Sequence, residues 1–381
     1  MEPFLDQDQL ALRARARSWG EKNLTSSVPE ESAIDDAARH LVAALGRAGF
    51  IAHVVPREFG GVRESVQARD VCVLREELAR RSALADTMLA LQALGSYPIT
   101  LAGTAEQKAR FLRGIARGET IAAFALTEPQ AGSDVAAVET TAVRHGSEYV
   151  LTGVKHLISN AGLAQNYIVF AATNATGVKN RISAFIVASN CHGLIVKERL
   201  QLLSPHPIGT VVFEECVVPA TCLLAQEGEG LKIALQTLDM LRCTVGAAAV
   251  GMAQRALDEA MSYSQARRQF GRELASFQAT QFKLADMATE LEASRLLVCE
   301  AAWLHDMVRA DFKQKSSMAK LYATEAAQRI VDQALQIHGG MGVVVGTTVE
   351  QLYRDVRALR IYEGTSEIQK IVIARTLLEK E

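Results

Sequence analysis

A chain of 381 residues is too long for one ordinary hydrophobic core and suits two or three packed units. Hydrophobic residues make up 49% and charged residues 22%, the balance of a soluble globular protein rather than a disordered one. The formal net charge of −2, with both signs interspersed, gives no general attraction for nucleic acid or an anionic membrane, though a local basic pocket for a phosphorylated ligand stays open.

The opening residues, Met1-Glu2-Pro3-Phe4-Leu5-Asp6, carry early acids and no apolar segment, so no secretory signal is expected. Asp6 and Asp8 argue against reading Arg13, Arg15 and Arg17 as a transit peptide. Residues 1–120 read as helices. The stretch 66–81 places apolar residues on one face and charges on the other, and 56–61 is a turn or loop. A helix over 105–117 opens with the capping box Thr104-x-x-Gln107 and ends at Gly118.

From 121 to 227 the period changes. Short β-branched or aromatic runs at 121–126, 149–151, 167–172, 182–187 and 211–213, punctuated by Gly, Asn, Ser and Pro, predict an antiparallel sheet domain. From 228 to 381 long helical patterns return, separated near Gly271, Asp311 and Gly339-Gly340, with no proline after Pro219 to interrupt them. Three domains are expected: helical over 1–120, sheet over 121–227, helical over 228–381. This order is not the strand–helix alternation of a doubly wound nucleotide fold. Gly339-Gly340-Met341-Gly342 is not G-x-G-x-x-G, and no Walker A sequence is present.

The longest uncharged small-apolar run, 243–253, falls far short of the roughly 20 residues a membrane span needs. The six cysteines, Cys72, Cys191, Cys216, Cys222, Cys243 and Cys299, form no C-x-x-C pair and no pairing with His at metal-ligand spacing, so no metal site is expected. All six read as small buried core residues of a reducing compartment, and the expected location is the cytoplasm.

Two segments carry chemistry. In Phe124-Ala125-Leu126-Thr127-Glu128-Pro129-Gln130-Ala131-Gly132-Ser133-Asp134 a strand stops at a turn where backbone N–H groups and hydroxyls can meet a ring edge or a pyrophosphate. On the residues alone an ordinary strand-to-loop connection is the better reading. Glu363 stands between Tyr362 and Gly364, just before a helix start near Ser366, and most such residues cap or solvate the helix. A flanking glycine lets backbone approach a ligand closely, and an apolar pocket would raise a carboxylate's pKa into the range useful for proton transfer.

The 125–134 segment resembles the first signature of the acyl-CoA dehydrogenase family. Three further segments resemble that family in the same order: Arg267-Arg268-Gln269-Phe270-Gly271 with Gln278; Gln336-Ile337-His338-Gly339-Gly340; and Tyr353-Arg354-Asp355 followed by 360–369. The resemblance covers the whole chain. It implies a multi-domain α+β fold: an N-terminal helical domain, a middle antiparallel β domain and a C-terminal four-helix bundle. It implies FAD, with Phe124, Leu126 and Thr127 along the flavin ring, Gly132 and Ser133 near the pyrophosphate or the substrate's pantetheine chain, and Thr365 and Glu367 beside the base. Arg267, Phe270, Gln278, Gln336, Gly339 and Gly340 would hold FAD, largely that of a neighbouring subunit in a homotetramer built from dimers.

The same resemblance makes Glu363 the base of α,β-dehydrogenation of an acyl-CoA thioester to the trans-2-enoyl thioester, with flavin N5 as hydride acceptor. Tyr362, Gly364 and Arg242 would lie on the substrate side, Arg242 near the base or simply in an ion pair. The family's alternative base position falls on Leu241, which takes no proton. Leu157 and Ser159 stand in a flavin-facing strand where the family usually has an aromatic residue and Thr. That departure bears on the electron acceptor, an electron-transfer flavoprotein or another such as oxygen, and leaves room for a thioester on an acyl carrier protein. His156, beside Leu157, is read as structural or surface, because strand neighbours point to opposite faces. A flavin-less binding relative is the reading outside enzymes; it predicts a colourless protein.

Overall fold

The computed structural model describes residues 4–25, 30–174 and 181–378. The chain divides into two compact units, one of Met1–Val28, Gln67–Asp86 and Asp239–Glu381, the other of Pro29–Val66 and Thr87–Leu238. In chain order the first elements are α1 (Gln7–Asn23), α2 (Ile34–Arg47), α3 (Ala68–Ala79), α4 (Ala83–Ala102) and α5 (Ala105–Ala116). The strands β1 (Ala122–Ala125), β2 (Thr141–His145), β3 (Glu148–Ser159), β4 (Asn166–Ala172), β5 (Ile182–Ala188), β6 (Leu194–Arg199), β7 (Ile208–Pro219) and β8 (Leu223–Leu224) follow. Then come α6 (Gly230–Ala266), the short hairpin β9 (Arg268–Gln269) and β10 (Arg272–Glu273), α7 (Gln278–Asp306), α8 (Phe312–His338), α9 (Thr348–Arg357) and α10 (Ser366–Leu378).

The first unit is helical. Its α3 differs from the expected half-exposed helix, because every one of its residues is buried. Its charged face is covered by partners instead of water. Gln9 Nε2 donates to Asp70 at 2.9 Å, Arg17 donates to Glu77 at 2.8 Å, and Arg295 of α7 donates to Glu76 at 3.1 Å. Buried charges persist only when matched in this way. The helices meet glycine-close where α6 crosses α3: a Cβ on Gly251 would fall 2.1 Å from the Glu76 carbonyl oxygen.

The second unit holds the sheet, in the order β6-β7-β3-β2-β4-β5-β8, with β1 against β4. The expectation of an antiparallel sheet is corrected to a mixed one: β1 and β4 are parallel, as are β2 and β4 at one position. The β2–β3 hairpin intervenes in sequence between β1 and β4, and such a crossover permits parallel pairing. β2 and β6, absent from the sequence reading, bury almost none of their residues, so no apolar run marks them. The capping box of Thr104 and Gln107 opens α5 as expected, and α8 starts after Asp311 and stops at Gly339.

Among the described residues one helix, α6, is long and apolar enough to cross a bilayer, and 78% of its most apolar window is buried inside the protein. A helix apolar all round and packed by protein is the behaviour of a core helix. None of the six cysteines is in a disulfide, but only Cys72, Cys216 and Cys243 are buried; Cys191, Cys222 and Cys299 are half-buried, so the reading of six core thiols is corrected for three.

Candidate active site

Glu363 sits in the turn between α9 and α10, in the helical unit. It and Gly364 are consecutive left-handed residues, with φ of 53° and 93°. A glutamate costs about 1–3 kcal/mol in that conformation, and strain of this kind persists only where the surroundings enforce it. Gly364 is needed there, because a Cβ would also meet Gln369 Nε2 at 2.6 Å.

The turn is pinned through its carbonyls. Lys320 Nζ donates to the Gly364 oxygen at 2.7 Å, and Gln369 Nε2 donates to the same oxygen at 2.9 Å and to that of Glu363 at 3.3 Å. The start of α10 is capped by Thr365, whose hydroxyl accepts the Ile368 N–H at 3.3 Å. Ser366 and Arg360 both donate to Glu325 of α8, at 2.6 and 2.8 Å. Glu363 is therefore not the cap. Among the described residues its Oε2 is buried without a hydrogen-bond partner.

Burial pushes the Glu363 carboxyl up to about 7. Arg75, Lys320 and Arg242 oppose the rise and Asp86 adds to it. Lys320 is fully buried, and burial lowers its ammonium to about 8, against the pull of Glu363. Arg242 is buried and paired with Asp239 one turn earlier, so it is both one of the cations acting on Glu363 and half of an ion pair. Leu241 is buried core. Tyr362 is half-buried; burial raises its phenol, while the charge of Arg75 acts in the opposite sense.

Arg75 is 1% exposed. Its Nε and Nη2 grip both oxygens of Asp86 at 2.8 and 2.9 Å, and Nη1 donates to Thr244 at 2.9 Å. The sequence reading missed Arg75, Asp86, Lys320 and Gln369. The signal available was Lys320 and Arg75 within otherwise apolar helical faces, which period alone does not distinguish from a solvated stripe.

In the sheet unit, the loop after β1 is held by a buried ion pair. Lys155 Nζ donates to Glu128 at 2.7 Å and to the Leu126 carbonyl at 3.0 Å, and Glu128 also accepts from the Glu139 and Thr140 N–H groups. Burial alone would raise the Glu128 carboxyl, but Lys155 and the N–H bonds hold it below its usual range; burial lowers Lys155 to about 8. Both stay charged at neutral pH. This fixes Phe124, Leu126 and Thr127, with the Phe124 ring 4.9 Å from that of Phe170. Gly132 and Ser133 lie exposed on the loop, and a Cβ on Gly132 would meet nothing within 4 Å.

Leu157 has φ of 57° and is 48% exposed, at a register shift between Lys155 and Ile158. Strict alternation therefore fails here, which corrects the argument used for His156. His156 is nonetheless structural: its N–H donates to the Thr127 carbonyl at 2.9 Å and its Nδ1 meets Thr210 Oγ1 at 2.8 Å. Ser159 Oγ meets His206 Nε2 at 3.0 Å, and burial lowers that imidazole to about 4.

A third group lies at the ends of α6 and α8. Arg267 precedes the β9–β10 hairpin, Phe270 at its tip is 93% exposed with φ of 51°, and Gln278 opens α7. Gln336, Gly339 and Gly340 close α8, all exposed, with open space around both glycines. The stacked rings of Tyr263 and His338, 4.2 Å apart, bring these two ends together. Thr365 and Glu367 stand at the start of α10, and the Glu367 carboxyl is held below its usual range by its own backbone N–H and by Thr365. Among the described residues no group of three or more His, Cys, Asp or Glu could hold a metal.

The chain matches the acyl-CoA dehydrogenase family models: the N-terminal domain over residues 6–119, the middle domain over 123–216 and the C-terminal domain over 228–378. It is 40% identical over 381 residues to a 3-(aryl)acrylate reductase of Clostridium sporogenes, covering 99% of this chain and 100% of the relative. It is 38% identical to the CarC subunit of the caffeyl-CoA reductase-Etf complex of Acetobacterium woodii, covering 99% and 100%. An acyl-CoA dehydrogenase of Bacillus anthracis solved with FAD superposes with a TM-score of 0.90 at 30% identity, covering 99% of this chain and 68% of that one.

The helical, sheet and helical order, matched by the models of all three family domains, defines a flavin oxidoreductase acting on CH–CH bonds. The chain belongs to the acyl-CoA dehydrogenase family, and its cofactor is FAD. The residues present fit that cofactor: Gly132 in the sheet unit, and separately Gly339 and Gly340 in the helical unit, leave space beside the backbone that a side chain would fill.

Proposed function

We propose that this chain interconverts an acyl-CoA and its trans-2-enoyl-CoA, with Glu363 taking the proton from the carbon next to the thioester carbonyl. The observation that carries the reading is the buried, unpartnered Glu363 Oε2, raised to about 7. A carboxyl so tuned accepts a proton near neutrality and gives it back. The same residue therefore serves the reductive direction, in which the two relatives above are named. The backbone N–H of Glu363, in a turn whose carbonyls are tied by Lys320 and Gln369, is assigned to the thioester oxygen, where enolate charge develops. Bound FAD supplies the hydride acceptor for the β-carbon.

Phe124, Leu126, Thr127, Gly132, Ser133, Leu157 and Ser159 are assigned to hold FAD, with Thr365 and Glu367. Ser133, Arg242, Tyr362 and Gly364 are assigned to the substrate side. Arg267, Phe270, Gln278, Gln336, Gly339 and Gly340 are assigned to the FAD of a neighbouring subunit. What supports a homotetramer is the exposure of large apolar side chains in the helical unit, among them Phe270, Phe282, Val343 and Val345. An electron-transfer flavoprotein is the proposed redox partner, on the likeness to the CarC subunit of an Etf complex. Six cysteines with no disulfide among them support a reducing, cytoplasmic setting.

The test is anaerobic mixing of the yellow holoenzyme with a panel of acyl-CoA thioesters, the matching pantetheinyl-carrier thioesters and, after chemical reduction, 2-enoyl-CoA thioesters. Bleaching by at least one acyl-CoA, or reoxidation by its enoyl partner, is expected. A response to carrier-bound thioesters alone moves the substrate to a carrier protein, and no response to any of them sinks the reading.

A further inference from the structure

Away from Glu363, two thiols meet in the sheet unit. The Cys216 S–H donates to Cys191 Sγ at 3.2 Å, and the Cys191 S–H donates in turn to the Val217 carbonyl at 2.8 Å. The two residues are 25 apart in sequence, Cys191 in the turn between β5 and β6 and Cys216 in β7. Cys216 is 0% exposed, whereas Cys191 is half-buried. Neither is among the residues assigned to FAD or to substrate.

The backbone brings the sulfurs together. The Cys191 N–H donates to the Ala188 carbonyl at 3.0 Å and the Leu194 N–H donates to the Cys191 carbonyl at 3.2 Å, which closes the turn. Gly193 then presses the turn against β7. Its φ is 84°, its carbonyl accepts the Glu214 N–H at 2.8 Å, and a Cβ there would fall 3.0 Å from Cys216 Cα. On the β7 side Glu215 has φ of 49°, where the register against β3 shifts between Leu151 and Gly153. A disulfide holds its sulfurs about 2.0 Å apart, so closure asks these two to approach by about 1 Å.

We propose that Cys191 and Cys216 form an oxidation site, a dithiol that hydrogen peroxide converts reversibly into an intramolecular disulfide tying the β5–β6 turn to β7. Cys191, the sulfur within reach of solvent, attacks the peroxide; its S–H becomes S–OH and one water leaves. Cys216 then attacks that sulfur. The S–S bond forms, the S–O bond breaks, and the hydroxyl departs with the Cys216 proton as a second water. Both thiols are oxidised, the peroxide is reduced, and a thiol reductant reverses the bridge. Burial and the hydrogen bond to Cys191 push the Cys216 thiol up, so it is not the sulfur that peroxide meets first. A resolving thiol at contact distance stops Cys191 short of the irreversible sulfinic acid. In a reducing compartment such a bridge is transient, which suits a redox-responsive pair rather than a structural staple.

The test treats the FAD-loaded protein with hydrogen peroxide, alkylates the remaining thiols, and maps tryptic peptides by mass before and after dithiothreitol. Cleavage after Arg199 leaves Cys216 and Cys222 on one peptide, so Cys222→Ser is run beside the starting protein. In both, the Cys191 peptide should be joined to the Cys216 peptide with loss of two hydrogens. The chain should stay monomeric on a non-reducing denaturing gel, and dithiothreitol should restore both thiols. In Cys216→Ser the bridge should be gone, with Cys191 recovered as a dimedone-trapped sulfenic acid or as the sulfinic acid. A bridge that survives in Cys216→Ser, a bridge between chains, or Cys191 left unbridged in the treated starting protein overturns the proposal. If Cys216→Ser does not fold, Cys222→Ser decides alone: a bridge kept within the chain supports the pair, and a bridge lost refutes it.

Discussion

The buried ammonium of Lys320 donates to the Gly364 carbonyl at 2.7 Å, tying the residue after Glu363 to α8. The same carbonyl also accepts from Gln369 at 2.9 Å, so it keeps a partner when Lys320 is removed. Replacing the lysine with an apolar side chain of similar volume then leaves no orphaned acceptor and removes a buried charge. Lys320→Met is expected to change stability by no more than about 1 kcal/mol. It also strips Glu363 of an opposing cation, so flavin bleaching at pH 7 should fall about tenfold as the base becomes more protonated. Denaturant melts and stopped-flow absorbance, read together, check this split.

The folded Glu363 carboxyl, at about 7, lies above its reference of 4.5. A group raised in this way favours folding while it is protonated in both states, and that contribution is lost as pH rises through 7. Glu363→Gln, which stays neutral, should therefore gain stability relative to the starting protein between pH 5 and 8, by up to roughly 3 kcal/mol. Parallel thermal melts across that range measure it. A constant difference would show that the carboxyl is not raised.

Lys155 and Glu128 are both buried, and each neutralises the other beneath the loop of Phe124–Thr127 residues. Lys155→Met leaves a buried carboxylate with only N–H partners, a loss on the order of 3–5 kcal/mol. The double variant Lys155→Met with Glu128→Gln should recover much of it. Flavin content after gel filtration should fall with Lys155→Met, because the loop assigned to the flavin loses its anchor.

Gly364→Ala puts a Cβ at φ of 93°, 2.6 Å from Gln369 Nε2. The strain is about 1–3 kcal/mol, and relief requires Gln369 to release the turn's carbonyls. Bleaching should slow at least tenfold while the protein still folds and keeps its flavin. Unchanged bleaching would mean that the turn's shape is not needed for proton transfer.

Much of the fold was legible in the sequence because helices and buried strands advertise their period. The capping box at Thr104, the break at Gly339 and the strands β4 and β5 read directly from residue order. β2 and β6 did not, since strands with little burial need no apolar alternation. The bulge at Leu157 was hidden for a different reason: register is set by the partner β7, and a leucine at positive φ leaves no local mark. Glu363 was singled out by the four ordered segments that resemble the family's signatures. Its neighbours Arg75, Asp86 and Lys320 were not, because a buried charge and a solvated one look identical until the partner is located, and here the partners lie on other helices.

The most direct test of the account is the rate of flavin bleaching by an acyl-CoA substrate under anaerobic, single-turnover conditions, measured from pH 5.5 to 9 in the starting protein and in Glu363→Gln. The account predicts a rate that climbs about tenfold per pH unit and levels off near pH 7. In Glu363→Gln it predicts a protein that is still yellow and slower by about 100-fold or more, with that pH step gone. A Gln variant that bleaches at the original rate, or keeps the step near pH 7, would contradict it.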